Sequence, residues 1–227
     1  VLRSERFSRT SEETEIHMTA TATADPGGHS VAHALPPDEY FGSATPGKIG
    51  MWIFLLSDAF SFGGLLLAYG ILRGGADVWR HPGEPALGIP FTAFLTFWLI
   101  CSSVTMVLAV AAATEGNRKQ TILFLGLTAL GGIGFLTGQF HEYFGLTPGH
   151  GLTHEGLIFG HSAYASTFYV TTSFHGAHVL TGTIYILVTL ARTVAGKTNA
   201  NDIEVLGLFW HFVDLIWILV FTFIYLL

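Results

Sequence analysis

Asp58 stands in GMWIFLLSDAFSFGGLLLAYG, an otherwise apolar run, and His175 and His178 stand in another, STFYVTTSFHGAHVLTG. A third run, LFWHFVDLIWILVF, carries His211 and Asp214 at the same i, i+3 spacing, and Gln139, Glu142 and Tyr143 close a fourth. Acids and imidazoles in such patterns can ligate a metal, carry a proton, or hydrogen-bond one helix to the next. Three residues are about 300° of helical rotation, so each histidine pair or His–Asp pair falls on one face. Trp210, Asp214 and Trp217, at i, i+4 and i+7, likewise form one stripe.

The chemistry available depends on what surrounds these groups. Half of the 227 residues are hydrophobic and only 11% are charged, well off the balance of a soluble domain. Five stretches approach or exceed the ~20 apolar residues that cross ~30 Å of hydrocarbon. They run over about 49–72, 90–113, 121–140, 163–191 and 205–227. Each is too long for a strand, and only a helix satisfies its own backbone in lipid, so the expected fold is an all-α integral membrane bundle of five transmembrane helices. Residues 1–46 are polar and turn-rich, lack an apolar signal-peptide core, and read as an extended cytoplasmic arm ahead of a membrane domain at 47–227. His29 and His33 in that arm read as solvated side chains.

Of the ten Lys and Arg, eight (Arg3, Arg6, Arg9, Lys48, Arg118, Lys119, Arg192, Lys197) fall on one side of this topology and only Arg73 and Arg80 on the other. The positive-inside rule then puts the N-terminus in the cytoplasm and the C-terminus in the periplasm. A net charge of -6 offers no basic patch for nucleic acid. The single cysteine, Cys101, lies within a span and can form no disulfide framework.

Asp58 lies ~14 Å into its span at 1.5 Å per residue, where an aspartate costs ~2.5–3.5 kcal/mol to insert. It therefore needs a partner or must keep its proton, and it is a candidate proton-relay or regulatory acid as well as a neutral structural one. A di-iron bundle would need Glu-x-x-His within the spans, which is absent, and a histidine-box enzyme would need more than the one H-x-x-H. The loop 141–161 holds His141, His150, His154 and His161, but its Gly and Pro content reads as an irregular connection. No metal site is expected, and the intramembrane polar residues read mainly as contacts between helices. Gly126, Gly131, Gly132, Gly134 and Gly138 mark the third span for close packing. Trp79, in the Gly/Pro-rich turn 73–89, reads as a headgroup-level anchor.

These residues resemble subunit III of the haem-copper terminal oxidases. KIGMWIFLLSDAFSFGG is similar to that family's first shared span, GQFHEY to its Q-x-x-E-Y helix end, FHGAHV to its F-H-G-x-H-V signature, and WHFVDLIW to its last helix. The resemblance covers about Lys48 to Leu227 and is to the short, five-helix bacterial form. It implies a non-catalytic accessory subunit of a proton-pumping respiratory oxidase in the bacterial plasma membrane. Haem and copper would sit in the neighbouring catalytic subunit I, with subunit II, small subunits and a respiratory supercomplex as further partners. No cofactor would be bound by this chain except phospholipid. The family's carbodiimide-reactive glutamate falls on Asp58, one methylene shorter. Arg192 and Glu204 fall where the family meets lipid headgroups. The equivalent subunit of a quinol oxidase, a stand-alone proton or ion transporter and a membrane metalloenzyme are the alternative readings.

Overall fold

The computed structural model describes residues 45–145 and 151–227. It contains helices α1 (Pro46–Gly74), α2 (Ile89–Thr114), α3 (Arg118–Phe144), α4 (Ala163–Val194) and α5 (Ala200–Val220), the last running into a π-helical turn at Phe221–Leu226. All five are long and apolar enough to cross a membrane, and no strand occurs among the described residues. The arm expected at the N-terminus, with His29 and His33, lies outside the described residues up to position 44, as does His150.

The helices overrun the expected spans because polar caps start them early. Pro46 and Pro90 occupy first turns, where a missing N–H is no loss. Asn117 accepts a hydrogen bond from the Gln120 amide (3.3 Å), so Arg118–Gln120 are helical where a loop was expected. Ser162 caps α4 through the Ala165 amide (3.0 Å), and an Asn199–Asp202 capping box opens α5 at Ala200 rather than at 205. The α2–α3 hairpin turns through Gly116 at φ +73°, a conformation that disfavours any side chain.

Helices α2, α3 and α4 pack in sequence order, α5 fills the space between α2 and α4, and α1 rests chiefly on α4 and α5. The glycine face of α3 makes this possible. A Cβ on Gly131 would strike Ser102 of α2, one on Gly132 would strike Thr183 of α4 and Trp210 of α5, and one on Gly138 would strike Leu95 of α2. Gly134 lies under the Trp98 indole, 2.7 Å from where its Cβ would be. Lipid tails are as apolar as Leu, so this close approach, through dispersion, is what holds the helices together. Gly126 departs from the expectation, since nothing lies within 4 Å of its would-be Cβ.

Trp79 gains two ring contacts in the fold. It is half-buried and packs edge-on against Tyr69 of α1 (5.4 Å) and Tyr164 of α4 (5.9 Å), so it closes one end of the bundle. The loop around it is pinned by Glu84, which accepts from the Ser162 hydroxyl and from the His81 amide (2.9 Å).

Candidate functional site

Asp58 sits near the middle of α1, twelve residues after Pro46 and sixteen before Gly74. Its Oδ1 lies 3.2 Å from His178 Nε2 on α4, and the pair is enclosed, with side-chain exposures of 9% and 17%. Phe62 covers it, packing on His178 (5.2 Å) and on Phe174 (4.9 Å). His178 Nδ1 lies 2.8 Å from the Phe174 carbonyl, which can only accept, so Nδ1 carries a proton. Nε2 and Oδ1 must then share one further proton between them. Whether it rests on nitrogen or on oxygen, the pair is neutral overall, which is what lets an acid lie at this depth in hydrocarbon. Asp58 Oδ2 is buried without a hydrogen-bond partner among the described residues.

His175, one turn away, does something else. It is fully buried, and neither ring nitrogen has a hydrogen-bond partner among the described residues. Its ring stacks on Trp217 of α5 (4.7 Å, 28°) and meets Phe135 of α3 edge-on (5.7 Å). The sequence reading placed it in a polar framework; the structure places it in an aromatic one. The reason is angular: the roughly 60° left over from three residues of rotation sends His178 toward α1 and His175 toward the α3–α5 side. We expect His175→Phe to change stability by less than about 1 kcal/mol, because it removes no hydrogen bond. His178→Phe, which strips Asp58 of its partner, should cost about 2 kcal/mol or more in the same thermal unfolding assay.

Several other polar residues of the spans hydrogen-bond between helices. Glu142, 8% exposed, accepts from Thr92 of α2 (2.9 Å) and from the Tyr225 hydroxyl beyond α5 (3.0 Å). Gln139 donates to the Thr172 carbonyl of α4 (2.8 Å) and to the Tyr143 hydroxyl (3.0 Å), and Tyr143 shares a 2.6 Å bond with the Thr172 hydroxyl. The Trp210 indole donates to Ser102 (3.2 Å) and the Trp217 indole to Thr96 (2.9 Å), both on α2. His211 Nδ1 lies 3.2 Å from Ser103 Oγ, while Asp214 Oδ1 is buried without a hydrogen-bond partner among the described residues. Sequence reasoning missed the hydroxyls that answer these groups. Thr92, Thr96 and Ser103 fall on one side of α2 at steps of four and seven, a signal easily lost because Thr and Ser recur in every span.

Arg192 and Glu204 have protein partners. Arg192 lies 3.5 Å from Asp202 and donates to the Lys197 carbonyl (3.4 Å), while Glu204 pairs with Lys48 at 2.7 Å and so ties α5 to α1. Both pairs remain open to their surroundings. Among the described residues no three His, Cys, Asp or Glu side chains converge on one point.

A family model described as cytochrome c oxidase subunit III matches residues 43–227. The chain is 37% identical over 184 residues to cytochrome c oxidase subunit 3 of Corynebacterium diphtheriae, covering 78% of this chain and 86% of that protein. It is 34% identical over 220 residues to cytochrome c oxidase subunit 3 of a Synechocystis species (95% and 87% covered). It is 32% identical over 206 residues to cytochrome bo(3) ubiquinol oxidase subunit 3 of Pseudomonas aeruginosa (88% and 92% covered).

Proposed function

Because the chain belongs to the cytochrome c oxidase subunit III family, and so is a multi-pass membrane component of a multi-subunit respiratory oxidase, we propose that it is the non-redox accessory subunit of that complex. In this reading the catalytic subunit holds haem and copper and reduces oxygen. The present chain packs against it, retains phospholipid, and keeps a protonatable pair, Asp58 with His178, in the membrane near proton uptake. The site lies in a bacterial plasma membrane with the N-terminus inside, as the Lys and Arg distribution suggests.

One observation carries the reading: much of the intramembrane polar framework is taken up by hydrogen bonds between helices. Glu142, Gln139, Tyr143, Trp210 and Trp217 each answer a partner on another helix. A transporter would need such groups free to exchange ligands along a path, and a metalloenzyme would need them converging. The quinol-oxidase alternative draws support from the Pseudomonas relative's name, and the family description together with the other two relatives favours cytochrome c as donor.

The test has two parts. Purification of the native complex should recover this chain with a haem-bearing subunit, and a companion with a copper-binding domain would mark cytochrome c as the electron donor. Within that complex, Asp58→Ala should shorten the catalytic lifetime during turnover about threefold or more at unchanged haem content, since it removes the buried acid and strands His178. Unchanged inactivation kinetics would remove Asp58 from the proposal. A pH gradient dissipated by the chain alone in liposomes would favour the transporter.

A further inference from the structure

Where α3 begins and α4 ends, the bundle leaves a cavity of about 280 Å³. Its walls include Arg118 and Thr121 of α3, Thr193 and Gly196 at the end of α4, and Thr198 and Asn199 before α5. At the helix ends it lies at the level of headgroups rather than acyl chains, on the side that carries eight of the ten Lys and Arg of the sequence. Arg118 Nε donates to the Thr193 carbonyl (2.9 Å) and Nη2 to that of Val194, so the guanidinium is fixed across the end of α4. Three of its five N–H groups remain. Nη1 faces Gly196, where a Cβ would sit 3.6 Å away and where a φ of +71° favours glycine.

The α4 carbonyls orient this cation without neutralising it. Among the described residues no carboxylate reaches ion-pair distance of Arg118: Asp202 pairs with Arg192 (3.5 Å), Glu204 pairs with Lys48 (2.7 Å), and Glu115, three residues before Arg118, makes no ion pair. The hydroxyls of the cavity differ in the same way. Thr121 donates to the Asn117 carbonyl (3.0 Å) and Thr193 to the Thr189 carbonyl (2.8 Å), while Asn199 is taken up by the capping box of α5. Thr198 Oγ1 is buried with no hydrogen-bond partner among the described residues. A fixed guanidinium with free N–H groups and an unused hydroxyl donor, with no acid paired to either, form the donor set of an oxyanion site. Basic pockets between helix ends on the Lys- and Arg-rich side of a membrane protein suit phosphate headgroups.

We propose that this cavity binds a phosphate group, held by the free N–H groups of Arg118 and by the Thr198 hydroxyl, and that the group belongs to a membrane phospholipid or is free phosphate. The lipid source rests on the phospholipid-retaining role proposed above. It moves the phosphate contact away from Arg192 and Glu204, which already pair inside the chain, to Arg118.

The experiment uses the purified, delipidated oxidase complex containing this chain, as wild type, Thr198→Val and Arg118→Gln. In one arm sodium phosphate is titrated against sodium chloride of equal ionic strength while the unfolding midpoint is followed. In the other the complex is reconstituted in nanodiscs of equal parts phosphatidylglycerol and monogalactosyl diacylglycerol, which lacks phosphate, and the lipid it retains is counted by native mass spectrometry. Wild type should show a saturable rise in the first arm or enrich phosphatidylglycerol in the second, and the arm that responds identifies the source. Thr198→Val removes one hydrogen bond to the anion and no bulk, so it should weaken the response about tenfold, and Arg118→Gln should abolish it. Because Arg118→Gln also loosens the end of α4, Thr198→Val, which has no bond in the fold to lose, carries the decision. No response from wild type in either arm, or equal responses from wild type and Thr198→Val, overturns the proposal. Recovery of the chain with a haem-bearing subunit is scored separately, so the accessory-subunit reading stands or falls on its own.

Discussion

Gly132→Val is expected to lose about 3 kcal/mol of stability and most of the folded chain in the membrane. A Cβ at 132 already meets the Thr183 side chain of α4 and the Trp210 ring at 2.8 Å, before any further methyl is added. Neither neighbour can yield. Thr183 is short and bonded back to the Val179 carbonyl (2.8 Å), and Trp210 is held by its indole bond to Ser102. The helices must separate, and the adjoining contact of Gly131 with Ser102 opens with them. Overpacking costs typically 1–3 kcal/mol, and three helices meet here, so the upper end applies. Against a total of about 5–15 kcal/mol, that loss reaches membrane abundance. Gly126→Val is the control: nothing lies within 4 Å, and a change within about 0.5 kcal/mol is expected. Denaturant unfolding in detergent checks both, and equal effects would show that close approach at Gly132 contributes nothing special.

Trp217→Ala should be as damaging, at about 3–5 kcal/mol, by the opposite route of leaving space. The ring is 1% exposed, stacks on His175 at 4.7 Å, and meets Phe135 edge-on at 4.8 Å and Tyr225 at 6.3 Å. Its removal opens a cavity between α2, α3, α4 and α5 and leaves the Thr96 hydroxyl without its indole donor. Lipid cannot fill an enclosed hole, so the dispersion lost by the lining is not recovered. Trp217→Phe keeps the ring and loses only the hydrogen bond, so a cost of about 1 kcal/mol is expected. Trp52→Ala, on a side chain 61% exposed on the outer surface of α1, should change the unfolding midpoint little.

Position along each helix was legible, while direction around it was legible only in part. Gln139, Glu142 and Tyr143 could be placed at the end of a span and expected to bridge, and they do. His175 and His178 could be assigned to one side of α4, yet one meets an acid and the other an aromatic stack. A shared side is an arc wide enough to reach two different neighbours, and spacing cannot choose between them. Trp79 shows the same limit in a loop, where composition could not name the two tyrosine rings that pack against the indole.

From the residues alone came the membrane, the number and rough extent of the helices, the family resemblance, and the cost of an acid such as Asp58 within a span. These rest on hydropathy, length and local order, which are properties of contiguous chain. Only the packed bundle decided that Asp58 answers to His178, that Glu204 ties to Lys48, that three helices close on Gly132, and that His211 meets Ser103 of α2. Such pairings depend on how helices far apart in sequence rotate and approach one another. That is set by the sum of many side-chain contacts, so no single stretch of sequence contains it.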